Sequence, residues 1–137
     1  DVVQMLNGCI GGLVAITAEP LMPSPLAAIL IGAVGGVIVV YGTKFLLSLK
    51  IDDVVGAIPA HLFAGIWGTL AVPITNPDTS FGTQLLGVVS INVFVFAVSF
   101  VIWFLMKNTF GIRLSKEGEL KGTDVTETGV IAYAIRD

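Results

Sequence analysis

His61 is the one histidine of this chain, and the stretch around it, from Val54 to Pro77, holds no other ionisable side chain. An ionisable group at membrane depth is costly in hydrocarbon and usually faces a bundle interior or a polar cavity, so it reads first as a functional residue. A neutral imidazole offers one hydrogen-bond donor and one acceptor. That pair suits a small polar species such as water or ammonia, or a relayed proton, moving through an otherwise apolar conduit. It does not suit tight binding of a permanent cation, which calls for carboxylates or a ring of carbonyls. The competing reading is a core histidine satisfied by one hydrogen bond. Pro59, two residues upstream, either sits in an early helical turn or breaks the helix there, and in both cases helps to fix where the imidazole points.

Other chemistries find no support. Residues Gly36 to Lys44 read Gly-Val-Ile-Val-Val-Tyr-Gly-Thr-Lys, which misses the phosphate-loop pattern in both spacing and order. Asp53 lies about two helical turns before His61, so no Ser-His-Asp arrangement is suggested. One histidine and one cysteine make no metal site by themselves, and no cofactor is expected. Cys9 excludes an internal disulfide and reads as a small apolar packing residue. A net charge of −3 argues against a nucleic-acid partner, which needs a basic patch.

The elements that must hold His61 follow from composition. Of the 137 residues, 55% are apolar and 12% charged, against roughly a quarter charged in an ordinary soluble domain. Val2–Ala18, Leu21–Thr43, Val54–Pro77 and Thr79–Met106 carry no charge apart from His61. About 20 apolar residues cross a hydrocarbon core, so the chain is expected to be an all-α membrane protein with four transmembrane helices, at about 2–18, 25–47, 54–72 and 83–107. Residues 1–107 then form a partial transmembrane domain and 108–137 a tail. The chain opens without an initiator Met or a basic leader, and it is expected to be a fragment lacking its N-terminal part.

Small residues recur at helical spacing in three of these spans: Gly8 and Gly12, Gly32 and Gly36, Ala64 and Gly68. They predict close helix packing. The fourth span carries large side chains all round and is expected to be longer, tilted and partly lipid-facing. Asn7 and Asn92 are expected to make interhelical hydrogen bonds, and Asp52 or Asp53 to cap the third span. All seven Lys and Arg residues fall in the second connection or at and beyond the end of span four. Those two regions are therefore expected on the cytoplasmic side. Tyr41 before Lys44 and Trp103 before Lys107 fit that interface.

Asp52-Asp-Val-Val-Gly-Ala-Ile-Pro-Ala-His61-Leu-Phe-Ala-Gly65-Ile-Trp-Gly68-Thr-Leu resembles the penultimate transmembrane segment of ammonium transporters, the Amt/Mep/Rh family. Asn7-Gly-Cys-Ile-Gly-Gly-Leu-Val-Ala-Ile-Thr17 is similar to an earlier segment of the same family. The tail, with Arg113, Gly122, Asp124 and Tyr133, is similar to its cytoplasmic C-terminus. The resemblance implies helices eight to eleven of an eleven-helix fold, assembled as a homotrimer with a pore through each subunit. It implies transport of ammonium or ammonia, with no enzymatic reaction, by a multi-pass protein of the plasma membrane, or the inner membrane in a bacterium. His61 is then one of a hydrogen-bonded pair of pore histidines, with Ala57 and Gly65 as further lining, and the tail residues make cytoplasmic contacts that a PII-type signal protein can read. Gly56 stands where some members carry Asp, and Thr128 and Val130 replace the His and Glu of a common tail motif. The alternative function is an ammonium sensor, in which the same fold drives a cytoplasmic signalling module. A cyclase or kinase domain after Asp137 would favour sensing.

Overall fold

The computed structural model describes residues 2–21 and 24–132. Helix α1 spans Val2–Thr17 and α2 spans Pro25–Ser48. A π-helical turn, Ile58–Phe63, runs into α3, Ala64–Thr75, and α4 spans Phe81–Thr109. The tail holds the short α5, Lys116–Lys121, and a second π-helical turn, Asp124–Thr128. No strand occurs among the described residues. Three helices are long and apolar enough to cross a membrane: α2, Ile58–Thr75 taken as one helix, and α4. At 16 residues, α1 is about 24 Å long, short of a hydrocarbon core of about 30 Å. Two compact units divide the chain, Asp1–Asn92 and Val93–Asp137.

In the first unit, α1, α2 and α3 are held by backbone approach more than by side-chain bulk. A Cβ at Gly12 would stand 3.1 Å from the carbonyl oxygen of Gly32, and one at Gly36 would stand 3.2 Å from that of Gly8. Between these crossings the seam is tighter. A Cβ at Gly35 would lie 2.7 Å from both the Gly11 carbonyl oxygen and the Ala15 Cβ, and Gly68 on α3 faces the Ala15 backbone with no room for any side chain. Most buried residues are correspondingly small: Gly11 and Ala15 on α1, Gly35, Val39 and Gly42 on α2, Ala64, Gly68, Ala71 and Val72 on α3, with Ile31 and Leu46 of α2 the larger ones. Apolar burial gives no net drive between helices already in lipid, so close contact of this kind is what holds them together. The Trp67 indole N–H adds one bond to the Ile31 carbonyl of α2, at 3.0 Å.

The helix ends follow local chemistry. Ser24 accepts the Ala27 N–H with Pro25 at the first position of α2, a start that removes two orphan donors. The far end of α2 closes with Lys50 N–H on Leu47 and Ile51 N–H on Leu46, which forces Lys50 to φ 56°. Nearby, the Lys44 ammonium lies 5.6 Å from the Tyr41 ring centre, a cation–π contact. Within α3, Pro73 removes the N–H that would bond the Thr69 carbonyl.

The second unit begins within α4, none of whose residues is buried. Phe96, Phe100 and Phe104 stack along one row, with ring centres 6.3 and 6.2 Å apart. At its end α4 passes through Gly111 at φ 72°. In the tail, Ser115 caps α5 by accepting the Gly118 N–H at 3.1 Å, and the Thr126 hydroxyl donates to the Gly118 carbonyl at 3.2 Å.

Candidate functional site

The segment carrying His61 is built from its upstream end. Residues 51–56 are not helical, and the Asp53 carboxylate gathers the first free N–H groups of the turn that follows. Its Oδ1 accepts from Ala57 at 2.9 Å and its Oδ2 from Ile58 at 2.8 Å. Of the two expected capping carboxylates, Asp53 is the one that does this. Gly56 follows at φ 72°, a left-handed conformation that costs glycine little. From α1, the Asn7 amide donates to the Val55 carbonyl at 2.7 Å, so its partner is this connection and not a neighbouring helix. Pro59 and Ala60 are then buried, and Gly42 of α2 leaves space that Phe63 and Pro59 fill. A π-helical turn accommodates one residue more than an α-turn, and such turns cluster at functional positions.

With Pro59 and Ala60 turned inward, His61 is left exposed on the other side of the turn. It lines an open cavity of about 330 Å³ lying within the first unit. One wall is His61, Gly65 and Thr69, a row of one helical face. The facing wall comes from the first turns of α4, where Gln84, Val88 and Asn92 repeat at fourfold spacing. The rest of the lining is apolar or glycine, so the cavity offers few hydrogen-bonding groups on a greasy surface. An imidazole there can pass a hydrogen bond or a proton to a small polar visitor, and the wall has no carboxylate to trap a cation.

Gly65 therefore shares the cavity with His61, whereas Ala57 sits at the entry of the turn and does not line it. Thr69, Gln84 and Asn92 were not anticipated as lining. Thr69 lies eight residues after His61, on the same helical face, and Gln84 lies eight before Asn92, so spacing alone carried that signal. The expectation for Asn92 needs correction. Its amide donates to the Val88 carbonyl of its own helix at 2.7 Å, because an i−4 carbonyl is within reach of a short amide. The packing glycines Gly12, Gly32, Gly36 and Gly68 stand at helix contacts. Gly8 has open space beside its own Cα and meets α2 through its carbonyl.

The tail residues form a separate local structure in the second unit. Arg113 is paired with Glu119 through two hydrogen bonds from its guanidinium. The hydrogen bond from Arg113, more than its charge, holds the Glu119 carboxyl below the usual range, and the same bond raises Arg113. Gly122 ends α5 at φ 103°, donating to Gly118. The Asp124 carboxylate accepts the N–H of Ala132, eight residues further on, at 2.8 Å. Tyr133 lies outside the described residues.

Apolar membrane-length helices, with α1 to α3 closely packed through glycine and a histidine on the wall of an otherwise greasy cavity, define a multi-pass helical membrane protein. A family profile described as Ammonium Transporter Family matches residues 1–133. The chain belongs to that family. It is 34% identical to the ammonium transporter Amt2 of Archaeoglobus fulgidus, over 97% of this chain and 33% of that protein. It is 36% identical to the ammonium transporter Amt1 of Haloferax mediterranei, over 97% and 27%. It is also 33% identical to the ammonium transporter of Bacillus subtilis, over 93% and 36%. The chain thus spans about a third of the length of the curated relatives it matches.

Proposed function

We propose that this chain forms the C-terminal part of an ammonium transport pore, in which His61 meets the moving solute. The carrying observation is the placement of the single histidine. It is turned away from the glycine-packed interior and onto the wall of a cavity lined by Gly65, Thr69, Gln84 and Asn92. Ammonium would give its proton to water at the outer mouth before entering an apolar passage, since a charge in hydrocarbon is expensive. Ammonia would then pass from one hydrogen-bonding group to the next. A second histidine, supplied by a part of the transporter outside this chain, would complete a pair with His61. On this reading α1 crosses the membrane as a fourth span, the Lys-bearing connection and the tail lie in the cytoplasm of a plasma-membrane protein, and the transporter is a homotrimer. The Arg113 to Ala132 fold is then the surface that a PII-type signal protein would touch.

The test is methylammonium uptake by the full-length transporter in cells lacking their own, comparing wild type with His61→Ala at equal membrane abundance. Uptake is expected to fall at least about tenfold, the scale on which one positioned catalytic-type group acts, or to change its charge selectivity. Unchanged uptake would return His61 to a satisfied structural histidine. A well-expressed wild type without any uptake would favour the sensor.

A further inference from the structure

We propose that Asn7, on α1, is a positioning residue for His61: its amide clamps the connection from which the histidine-bearing turn starts. The inference rests on His61 lying in the conduction path. No hydrogen bond joins His61 to Asn7 among the described residues. What joins them is a short run of backbone with very little freedom. The Asn7 amide holds the Val55 carbonyl at 2.7 Å, and the next residue, Gly56, is buried in the left-handed region at φ 72°. A Cβ at Gly56 would come 2.5 Å from the Asn7 amide nitrogen, so the amide lies directly against the glycine. The Gly56 N–H is taken by the Asp53 carbonyl at 3.1 Å, and the Gly56 carbonyl accepts Ala60 N–H at 3.2 Å. Asp53 fixes Ala57 and Ile58 from the other side.

Asp53 and Asn7 divide the work differently. Asp53 is local, and its two bonds define where the turn begins along the chain. Asn7 comes from another helix, and its single bond defines where that beginning stands relative to α1, the helix whose Gly11 and Ala15 pack against α2 and α3. With the start of the turn pinned and Pro59 and Ala60 buried at its next positions, the direction of residue 61 is set. Without the amide, residues 54–56 lose their one side-chain tie to α1 among the described hydrogen bonds. The left-handed Gly56 then becomes a hinge, and the imidazole moves with the turn. Small displacements of a positioned group are expensive for function.

The experiment uses the full-length transporter and reads the ratio of ammonium to methylammonium transport. That ratio does not depend on how many copies reach the membrane in active form. Asn7→Leu keeps the size and loses the amide, while Asn7→Ser keeps a donor of shorter reach. The expected result is a ratio shifted about fivefold in Asn7→Leu, the rate equivalent of one ordinary hydrogen bond, and shifted less in Asn7→Ser. Should Asn7→Leu fail to accumulate, a shift in Asn7→Ser is the expected result and a wild-type ratio overturns the proposal. A wild-type ratio in Asn7→Leu, whatever its absolute rate, overturns the positioning role while leaving the pore assignment standing if His61→Ala is impaired. Wild-type uptake and ratio in His61→Ala would overturn both.

Discussion

α2 and α4 are both long enough to cross a membrane, and their most apolar stretches have mean hydropathy of 2.2 and 2.6. Yet α2 buries Ile31, Gly35, Val39, Gly42 and Leu46, whereas α4 buries none of its residues. Hydropathy separates the two helices hardly at all. Side-chain size separates them better, since α2 presents Gly32, Gly35 and Gly36 to α1 and Gly42 to Phe63, whereas the later turns of α4 carry phenylalanine, valine, isoleucine and tryptophan. In lipid, apolar character says only that a helix can be there. Which face meets protein is decided by where another backbone can come close.

Gly68 is where that contrast breaks hardest. Gly68→Val drives a side chain into the Ala15 backbone and is expected to cost about 3 kcal/mol, read as a lowered unfolding temperature of the full-length protein in detergent. Gly82→Ala at the start of α4, where a Cβ meets nothing, is expected to be neutral or to stabilise by up to about 1 kcal/mol. Equal losses at both sites would erase the distinction.

The two helix ends sharpen it at a smaller scale. α2 closes on Lys50 and α4 on Gly111, both in the left-handed region. Lys50→Gly is expected to stabilise, and Gly111→Lys to destabilise, each by about 1 kcal/mol. The two tryptophans come next. Trp67→Phe loses the bond to Ile31 and is expected to cost about 0.5 to 1 kcal/mol, while Trp103→Phe on exposed α4 should be nearly silent. A larger loss at Trp103 would mean that α4 packs against protein there.

Smallest is a pH effect confined to the tail. Because Glu119 titrates below its ordinary value when paired with Arg113, the pair contributes fully above the ordinary glutamate value of about 4.3. That contribution is lost as pH falls through the lowered folded value. The Glu119 and Gly118 amide resonances should hold steady from neutral pH down to that region and then move. A midpoint at the ordinary glutamate value of about 4.3 would mean that the pair is not formed.

The helices were legible in the sequence because charge-free stretches and turn residues mark them without reference to anything distant. Gly12, Gly32, Gly36 and Gly68 were legible as packing positions for the same reason, since helical spacing is local. Gly11 and Gly35, which meet each other across the crossing of α1 and α2, were not singled out. The spacing test chose between adjacent glycine pairs, Gly11-Gly12 and Gly35-Gly36, and only the crossing of α1 and α2 decides which pair is pressed closest. His61 announced itself as a lone ionisable group. Its neighbours Gln84 and Asn92 did not, because they arrive from another helix across a loop. Likewise Asn7 could be expected to bond something, but that its partner is the Val55 carbonyl follows from the unwound connection at 51–56, which the unbroken apolar run from Val54 conceals.

The π-helical turn at Ile58–Phe63 has one more consequence, concerning phase. Each residue of an α-helix turns the chain by about 100°, and the π turn absorbs a residue that a regular helix would have to display. Deleting one residue from Ile58–Phe63 would let the turn relax to α geometry with the segments on either side kept in phase. Tightening the turn with every residue retained would instead rotate everything before it by about one residue's angle against Gly68 and Ala71. The start of the turn would then leave the place where Asn7 meets the connection before it, although every group would still be present. The turn thus works as a slack link: it takes up one residue so that the start fixed by Asp53 and Asn7 and the packing face of Ala64, Gly68 and Ala71 are satisfied together.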